Sequence, residues 1–440
     1  MTHMKEQLLK KISDKSITAG VVGLGYVGLP LAVEIAKAGF KTIGFDLLDD
    51  KVNKINRGEN YISDVDGAAL RALTDNGRLE ATTDFRRISE MDFIAICVPT
   101  PLDSHQQPDL SYIEHSSIQI AEHLKKDTMV VLESTTFPGT TSDIVCPILE
   151  KGSGLMCGKD FYLAFSPERV DPGNAHYKTG NTPKVVGAIG QDAEDVIKAM
   201  YESFLEGGVY PVSSPAIAEM EKILENTYRN INIGLINEMA MLCDRMKINI
   251  WEVIDAARTK PYGFQAFYPG PGLGGHCIPL DPYYLSWKVR EYAFHTSMIE
   301  TSMMINDRMP EYCVQRIANI LNEFSKSLKG STVLVLGVAY KADIDDCRES
   351  PAIRVINVLR KKGAIVRFFD PHVKFYTDKG LIYNGEPALT PKLLSEADIT
   401  VITTAHSCID YNMVQQYARF VFDTRNATRG VRKRDNIELL

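Results

Sequence analysis

The sequence predicts an α/β protein: two doubly wound, parallel-sheet domains joined by a central helical region with a long helix. Three observations predict it. Strand-length apolar runs alternate with helical stretches from Ser16 through the first half of the chain, and again from about Lys329. Between these regions, from Ser214 to Ile248, apolar residues recur at spacings of three and four. The first apolar run also ends in the glycine series Gly23-x-Gly25-x-x-Gly28. At 440 residues the chain is too long for one ordinary core. Divisions are expected at residues 1–210, 211–325 and 326–440.

The first element is an apolar strand, Ile17 to Val22, that enters the glycines; a helical stretch follows and is closed by Gly39. A second strand, Lys41 to Phe45, ends at Asp46, 18 positions beyond Gly28. Strand, glycine turn, helix and acidic residue in this order make the Rossmann dinucleotide context. Gly23 makes the tight turn. Gly25 lets a pyrophosphate approach the helix N-terminus, where unpaired N–H groups favour anions. Gly28 lets helix and strand pack closely. Asp46 is expected to accept hydrogen bonds from the adenosine ribose, and its charge repels a 2′-phosphate, so the expected cofactor is NAD rather than NADP. Lys51 either reaches the same ribose or is a solvated surface lysine.

Further strands read from 91–101 and 127–141, each ending in polar, proline-containing residues. Ligands of an open α/β sheet gather at such carboxyl ends, which makes Thr100 and Thr135 candidates; the alternative is a turn or helix cap for each. The block 161–175 repeats the pattern and delivers Glu168 and Arg169 after Ser166-Pro167. In the central helix Lys222 and Asn226 stand at i, i+4 on one face, with Arg229 and Asn230 a turn on. A solvated face is the plain reading. Asparagines at 226, 230 and 232 also suit a carbohydrate or an interdomain contact.

Next comes GPGLGGHCIPLDPYYL, residues 270–285, with Cys277 among glycines and prolines. Glycines let backbone approach a ligand and prolines stiffen the segment. A thiol so held is either a reagent or the filler of a tight turn. His276 adjoins it, although adjacent residues seldom face each other. Asp281 follows four residues on. Residues 284–306 read as further helix. From Lys329 the strand–helix rhythm returns, but of the glycine signature only Gly337 remains, so a second NAD is not expected. Between its first strand and helix, Lys341 and Arg348 either clamp phosphates or pair with Asp343, Asp345, Asp346 or Glu349.

A net charge of −7 and a pI near 5.8 give no reason to expect nucleic acid or an anionic membrane as partner. No run of about 18 apolar residues suggests a membrane span. The N-terminal stretch is charged, has no apolar core and does not read as a signal peptide. Eight scattered cysteines without a CxxC pair suggest neither zinc nor a disulfide framework; no metal is expected, and a reducing cytoplasm fits.

Together, VGLGYVGLPLA, CVPTP, ESTTFPGTT, SPER, AEMEKILEN, GPGLGGHCIPLD and AYKADIDDCRESPA resemble the UDP-sugar 6-dehydrogenases, over nearly the whole chain. The resemblance implies an NAD-binding Rossmann domain, a central helical region and a UDP-binding Rossmann-like domain. It implies oxidation of C6 of the sugar twice, with two NAD and one water, to a uronic acid. Cys277 matches the nucleophile, which forms a thiohemiacetal and then a thioester. Lys222 and Asn226 match the pair that stabilises the oxyanion, Glu168 the base in thioester hydrolysis, and Thr135 and Asp281 residues that organise the water and the lysine. Gly23, Gly25, Gly28, Asp46, Lys51, Thr100 and Thr135 match the NAD site. Glu168, Arg169, Lys222, Asn226, Arg229, Lys260, Gly274, Lys341 and Arg348 match the UDP-sugar site. A homodimer or dimer-based oligomer through the central helices is implied, with Arg258 or Lys260 as the basic residue lent to the partner.

The chain reads GGHCIPLD where the glucose-oxidising branch commonly has GGSCFPKD, so Leu280 replaces a lysine. This resembles the UDP-N-acetylhexosamine branch, and TKPYGFQAFYPG leans toward UDP-N-acetylglucosamine, for surface polysaccharides such as O-antigen or capsule. UDP-N-acetylmannosamine and UDP-glucose are the alternative substrates. A non-catalytic sensor of NAD or UDP-sugar is the alternative of another class, and it has no need to keep Cys277, Lys222 and Glu168.

Overall fold

The computed structural model describes residues 3–62, 64–103, 105–171, 173–174 and 176–440. The chain forms two compact units. One comprises Met1–Glu225 with Tyr283–Tyr292, the other Asn226–Pro282 with Ala293–Leu440.

The first unit is built on an eight-stranded sheet: β1 (Thr18–Val22), β2 (Lys41–Phe45), β3 (Leu79–Thr82), β4 (Phe93–Ile96), β5 (Thr128–Leu132), β6 (Phe161–Phe165), β7 (Lys184–Ala188) and β8 (Val209–Val212), in the order β3-β2-β1-β4-β5-β6-β7-β8. Strands buried on both faces read as continuous apolar runs, and FIAI, TMVVL and FYLAF are buried throughout. The strand order reverses between β1 and β4, where an open sheet leaves its crevice. The sheet departs from a wholly parallel one: β7 runs antiparallel to β6, and β8 parallel to β7.

The N-terminal stretch does carry an apolar stripe. Met4, Leu8 and Ile12 are buried along helix His3–Ser13, while Lys5 pairs with Asp192 and Asp195. Four-residue spacing puts the three on one face.

One helix of 32 residues, Pro215–Met246, is about 48 Å long at 1.5 Å per residue. The first unit holds it through Glu225 and the second from Asn226 on. The helix expected over 284–306 is broken. Asp281–Lys288 and a 3₁₀ turn Val289–Tyr292 come first, and Ser297–Glu323 begins anew after Ala293 at φ 51°. Tyr292 and Phe294 are exposed, so no buried stripe carries a helix across the gap. Tyr284 instead packs with Phe137 and Ile223 in the first unit, and its hydroxyl donates to the carbonyl of Thr100.

The second unit carries a five-stranded parallel sheet of β9 (Thr332–Leu336), β10 (Ile365–Phe369), β13 (Ile399–Ile402), β14 (Val421–Asp423) and β15 (Ile437–Leu439), in the order β10-β9-β13-β14-β15. A hairpin, β11 (Phe375–Asp378) and β12 (Leu381–Asn384), stands apart from it. Among the described residues no helix is long and apolar enough to cross a membrane.

Candidate active site

Gly23 has φ 90°, and a Cβ on Gly28 would lie 1.9 Å from the Gly23 carbonyl oxygen. Around Gly25 a Cβ meets nothing within 4 Å, which leaves backbone open to a ligand at the start of helix Gly28–Lys37, whose first turn no side chain caps. Asp46 stands at the end of β2. Its carboxylate accepts from the N–H groups of Leu24 (3.0 Å) and Leu48 (3.1 Å) and from Lys51 Nζ (3.0 Å), so Lys51 is an ion-pair partner of Asp46. These donors leave a carboxylate room for a further one. The residues fit a dinucleotide with an unphosphorylated ribose.

Thr100 and Thr135 are brought together: the Thr100 hydroxyl donates to the Thr135 carbonyl over 2.8 Å. The loop after Thr135 is pinned from the long helix. Buried Glu219 accepts from the N–H of Gly139 (2.6 Å) and from the N–H (2.8 Å) and hydroxyl (2.7 Å) of Thr141. One turn along the same helix, the ammonium of Lys222 donates to the backbone carbonyl of Glu168. The Glu168 carboxylate accepts from the N–H groups of Arg169 and Val170, both at 2.8 Å. Arg169 turns its guanidinium to Glu225, Glu221 (3.4 Å) and the Pro183 carbonyl (3.0 Å).

In the second unit the cysteine loop is tied at three points by asparagines of the long helix. Asn237 accepts from Gly270 N–H (3.0 Å), Asn230 donates to the Ile278 carbonyl (3.0 Å), and Asn226 donates to Asp281 Oδ2 (2.6 Å). The Cys277 carbonyl accepts from the N–H groups of Leu280 (3.1 Å) and Asp281 (2.9 Å), which folds the backbone tightly about the half-buried cysteine. Glycine is needed at 274, because a Cβ would lie 2.7 Å from Tyr340 and Pro351. The loop therefore packs on the segment that carries Lys341 and Arg348. Arg348 forks onto Asp346, with Nη2 at 2.7 Å, which is the acidic-neighbour pairing of the two readings left open by the sequence. His276 is exposed. Asn232 bonds within its own helix, to the Tyr228 carbonyl. Arg229 is exposed, Arg258 lies 3.4 Å from both Asp255 and the Tyr268 hydroxyl, and the Lys260 ammonium sits 5.0 Å over the Tyr262 ring.

Where β2 carries Asp46, the matching strand β10 carries Asp370. That carboxylate accepts from Val338 N (2.7 Å), Ala339 N (3.0 Å), His372 N (2.8 Å), Val373 N (2.9 Å) and His406 Nε2 (3.0 Å). Burial alone would raise its pKa, but His406 and the backbone donors hold it at about 2. Asp343, His372 and His406 offer ligand atoms within 4.8 Å of one another. His406 nevertheless spends both ring nitrogens, on Asp343 N–H (3.0 Å) and on Asp370.

Two groups escaped the sequence reading. Glu219 sits on a helix face like any solvated glutamate. Lys184 opens an apolar strand, where lysine ordinarily marks a solvated end. The available signal was Glu133, an acid directly after the buried run TMVVL, which demands a cation.

A glycine-lined crevice at the turn after β1 and a second parallel sheet are the architecture of an NAD-dependent oxidoreductase with a separate nucleotide-binding domain. The chain belongs to the UDP-glucose/GDP-mannose dehydrogenase family. It matches that family's NAD binding domain over residues 17–205, its central domain over 216–308 and its UDP binding domain over 334–430. It is an NAD-dependent UDP-sugar dehydrogenase of the hexosamine type. Protein CapL of Staphylococcus aureus is 36% identical over 88% of this chain and 89% of that protein. The UDP-N-acetyl-D-glucosamine 6-dehydrogenase of Pseudomonas aeruginosa is 34% identical over 89% of this chain and 91% of that protein. A solved structure of the UDP-D-ManNAc dehydrogenase from Pyrococcus horikoshii matches with a TM-score of 0.87 at 31% identity, covering 96% of this chain and 98% of that one.

Proposed function

We propose that the chain oxidises C6 of UDP-N-acetyl-D-glucosamine twice, giving UDP-N-acetyl-D-glucosaminuronic acid for a surface polysaccharide. The observation that carries the covalent part is the three-point tether of the Cys277 loop, which pre-orders the thiol.

Gly23, Gly25, Gly28, Asp46 and Thr100 would hold NAD, which would supply the hydride acceptor for each of the two oxidations. The chain's own groups do the rest. The first oxidation removes a hydride from C6 and a proton from its hydroxyl, leaving an aldehyde. The Cys277 thiolate adds to that carbon, and Lys222 and Asn226 hold the resulting oxyanion. Loss of the second hydride leaves a thioester. Glu168 takes a proton from water, the water oxygen replaces sulfur, and Cys277 is released as the carboxylate forms. Thr135 and Asp281 position the water and the lysine. Lys341, Arg348, Arg169, Arg229 and Gly274 serve the nucleotide-sugar.

The name of the Pseudomonas aeruginosa relative and the stretch TKPYGFQAFYPG support the glucosamine epimer, whereas the Pyrococcus horikoshii structure favours UDP-N-acetylmannosamine as the second reading. A homodimer is supported by Tyr228, Leu235, Leu242 and Met246, exposed along one helix at 47, 51, 47 and 58%. Their spacing of seven, seven and four is that of a helix-pairing seam. Lys260 or Arg258 serves the partner's sugar site, and the enzyme works in the cytoplasm.

The test is NADH formed per sugar consumed with UDP-N-acetylglucosamine, UDP-N-acetylmannosamine and UDP-glucose side by side. About two NADH per sugar, with UDP-N-acetylglucosamine preferred, is the expected result. A ratio of about one removes the thioester step, and no NADH with any sugar favours a sensor.

A further inference from the structure

We infer that Lys184 is a positioning residue for Glu168, aiming its carboxylate at the water it activates; this rests on the reading of Glu168 as the base of thioester hydrolysis. Lys184 opens β7 and is buried, with its side chain 7% exposed. Its ammonium lies 2.5 Å from Glu133 Oε2 and 3.7 Å from Glu168 Oε2. Glu133 is fully buried at the end of β5 and also accepts from the Tyr201 hydroxyl. Backbone N–H groups occupy Glu168 Oε1, so the other oxygen, the one free to meet water, is the one facing Lys184.

A buried ion pair adds little net stability over apolar packing of the same volume. One placed directly behind the proposed base therefore has a use other than holding the sheet together. The remaining groups around it do not compete. Arg169 is turned to Glu221 and Glu225, and Lys222 addresses the Glu168 carbonyl. Burial keeps the Cys97 thiol and the Tyr201 phenol protonated. One ammonium thus faces two carboxylates, anchored by Glu133 and turned toward Glu168 Oε2.

The experiment uses the full chain with NAD and UDP-N-acetylglucosamine. Formation and decay of the Cys277 acyl adduct are followed by quenched-flow mass spectrometry. In Lys184→Gln decay is expected to slow about tenfold, with adduct formation and KM for the sugar unchanged, and Lys184→Arg is expected to recover most of the rate. Glu168→Gln is expected to slow decay about a hundredfold. A slow Glu168→Gln beside a Lys184→Gln that decays at the wild-type rate overturns the role of Lys184. Normal decay in Glu168→Gln overturns the base assignment itself and the inference with it. Should Lys184→Gln not fold, with Glu133 left buried and unpaired, the double variant Lys184→Gln with Glu133→Gln, which leaves no unpaired charge, decides in its place: slow decay supports the role and wild-type decay overturns it.

Discussion

The side-chain amide of Asn226 donates to the carboxylate of Asp281 over 2.6 Å, and both residues are buried. One stands on the long helix. The other closes the turn whose first carbonyl belongs to Cys277. Replacing Asn226 by Asp sets two carboxylates against each other and removes the proposed oxyanion donor. The expected result is a kcat about a hundredfold lower with little change in KM. Steady-state kinetics of Asn226→Asp beside Asp281→Asn check it, and a change confined to KM would assign the pair to ground-state binding.

For Cys277→Ser, the second oxidation should fail. NADH yield should fall from about two to about one per sugar, or turnover should drop about a thousandfold with a slowly resolving ester on the protein. NADH fluorescence and intact mass distinguish these. Normal turnover to the acid would falsify the covalent scheme.

Gly28→Ala tests the cofactor crevice alone. Its Cβ would sit 1.9 Å from the Gly23 carbonyl oxygen, so the turn must move. NAD affinity should weaken at least about tenfold while UDP affinity stays the same, as measured by calorimetry with each ligand separately.

Glu219→Gln keeps the shape but turns an amide toward N–H groups that need an acceptor. We expect about 1–3 kcal/mol of lost stability in urea unfolding. Thr135 hangs on the same loop, so kcat should fall as well.

Glu221 gives stability a pH dependence. Burial and a hydrogen bond with Glu225 raise its carboxyl to about 7 from the ordinary 4.5. The folded state therefore binds this proton more tightly than the unfolded state does. That contribution is fully present below the unfolded pKa and is lost as pH rises through about 7. Glu221→Gln removes it, so the variant's Tm should exceed wild type by more at about pH 8 than at about pH 5. Calorimetric scans at both pH values decide, and a gap that does not widen means that Glu221 ionises freely.

The sheets and the cofactor crevice were legible because their signals are local: apolar runs of strand length, three glycines and an acid at the right distance. Lys41–Phe45 is a strand to the residue. What failed was what depends on partners distant in sequence. The stripe Met4, Leu8, Ile12 was hidden among lysines, and its helix is held by acids nearly two hundred positions away. The break after Tyr292 reflects where Tyr284 packs, which no periodicity records. Asn230 suited a carbohydrate or an interdomain contact equally, because an amide on a helix face carries no mark of whether it meets a ligand or a loop carbonyl. Lys184 was invisible for a like reason, since its partner Glu133 lies 51 positions earlier.

The clasp around Asp370 bears on protein engineering. Redesigning the second sheet to accept a dinucleotide would not be a matter of restoring two glycines after Gly337. Its acid is already saturated by four backbone N–H groups and an imidazole, and a ribose would have to evict them and unfold the turn they hold. Grafting the loop that follows β1 together with Asp46 and its surroundings is the smaller operation. A swap of the glycine motif alone should therefore yield no second cofactor site.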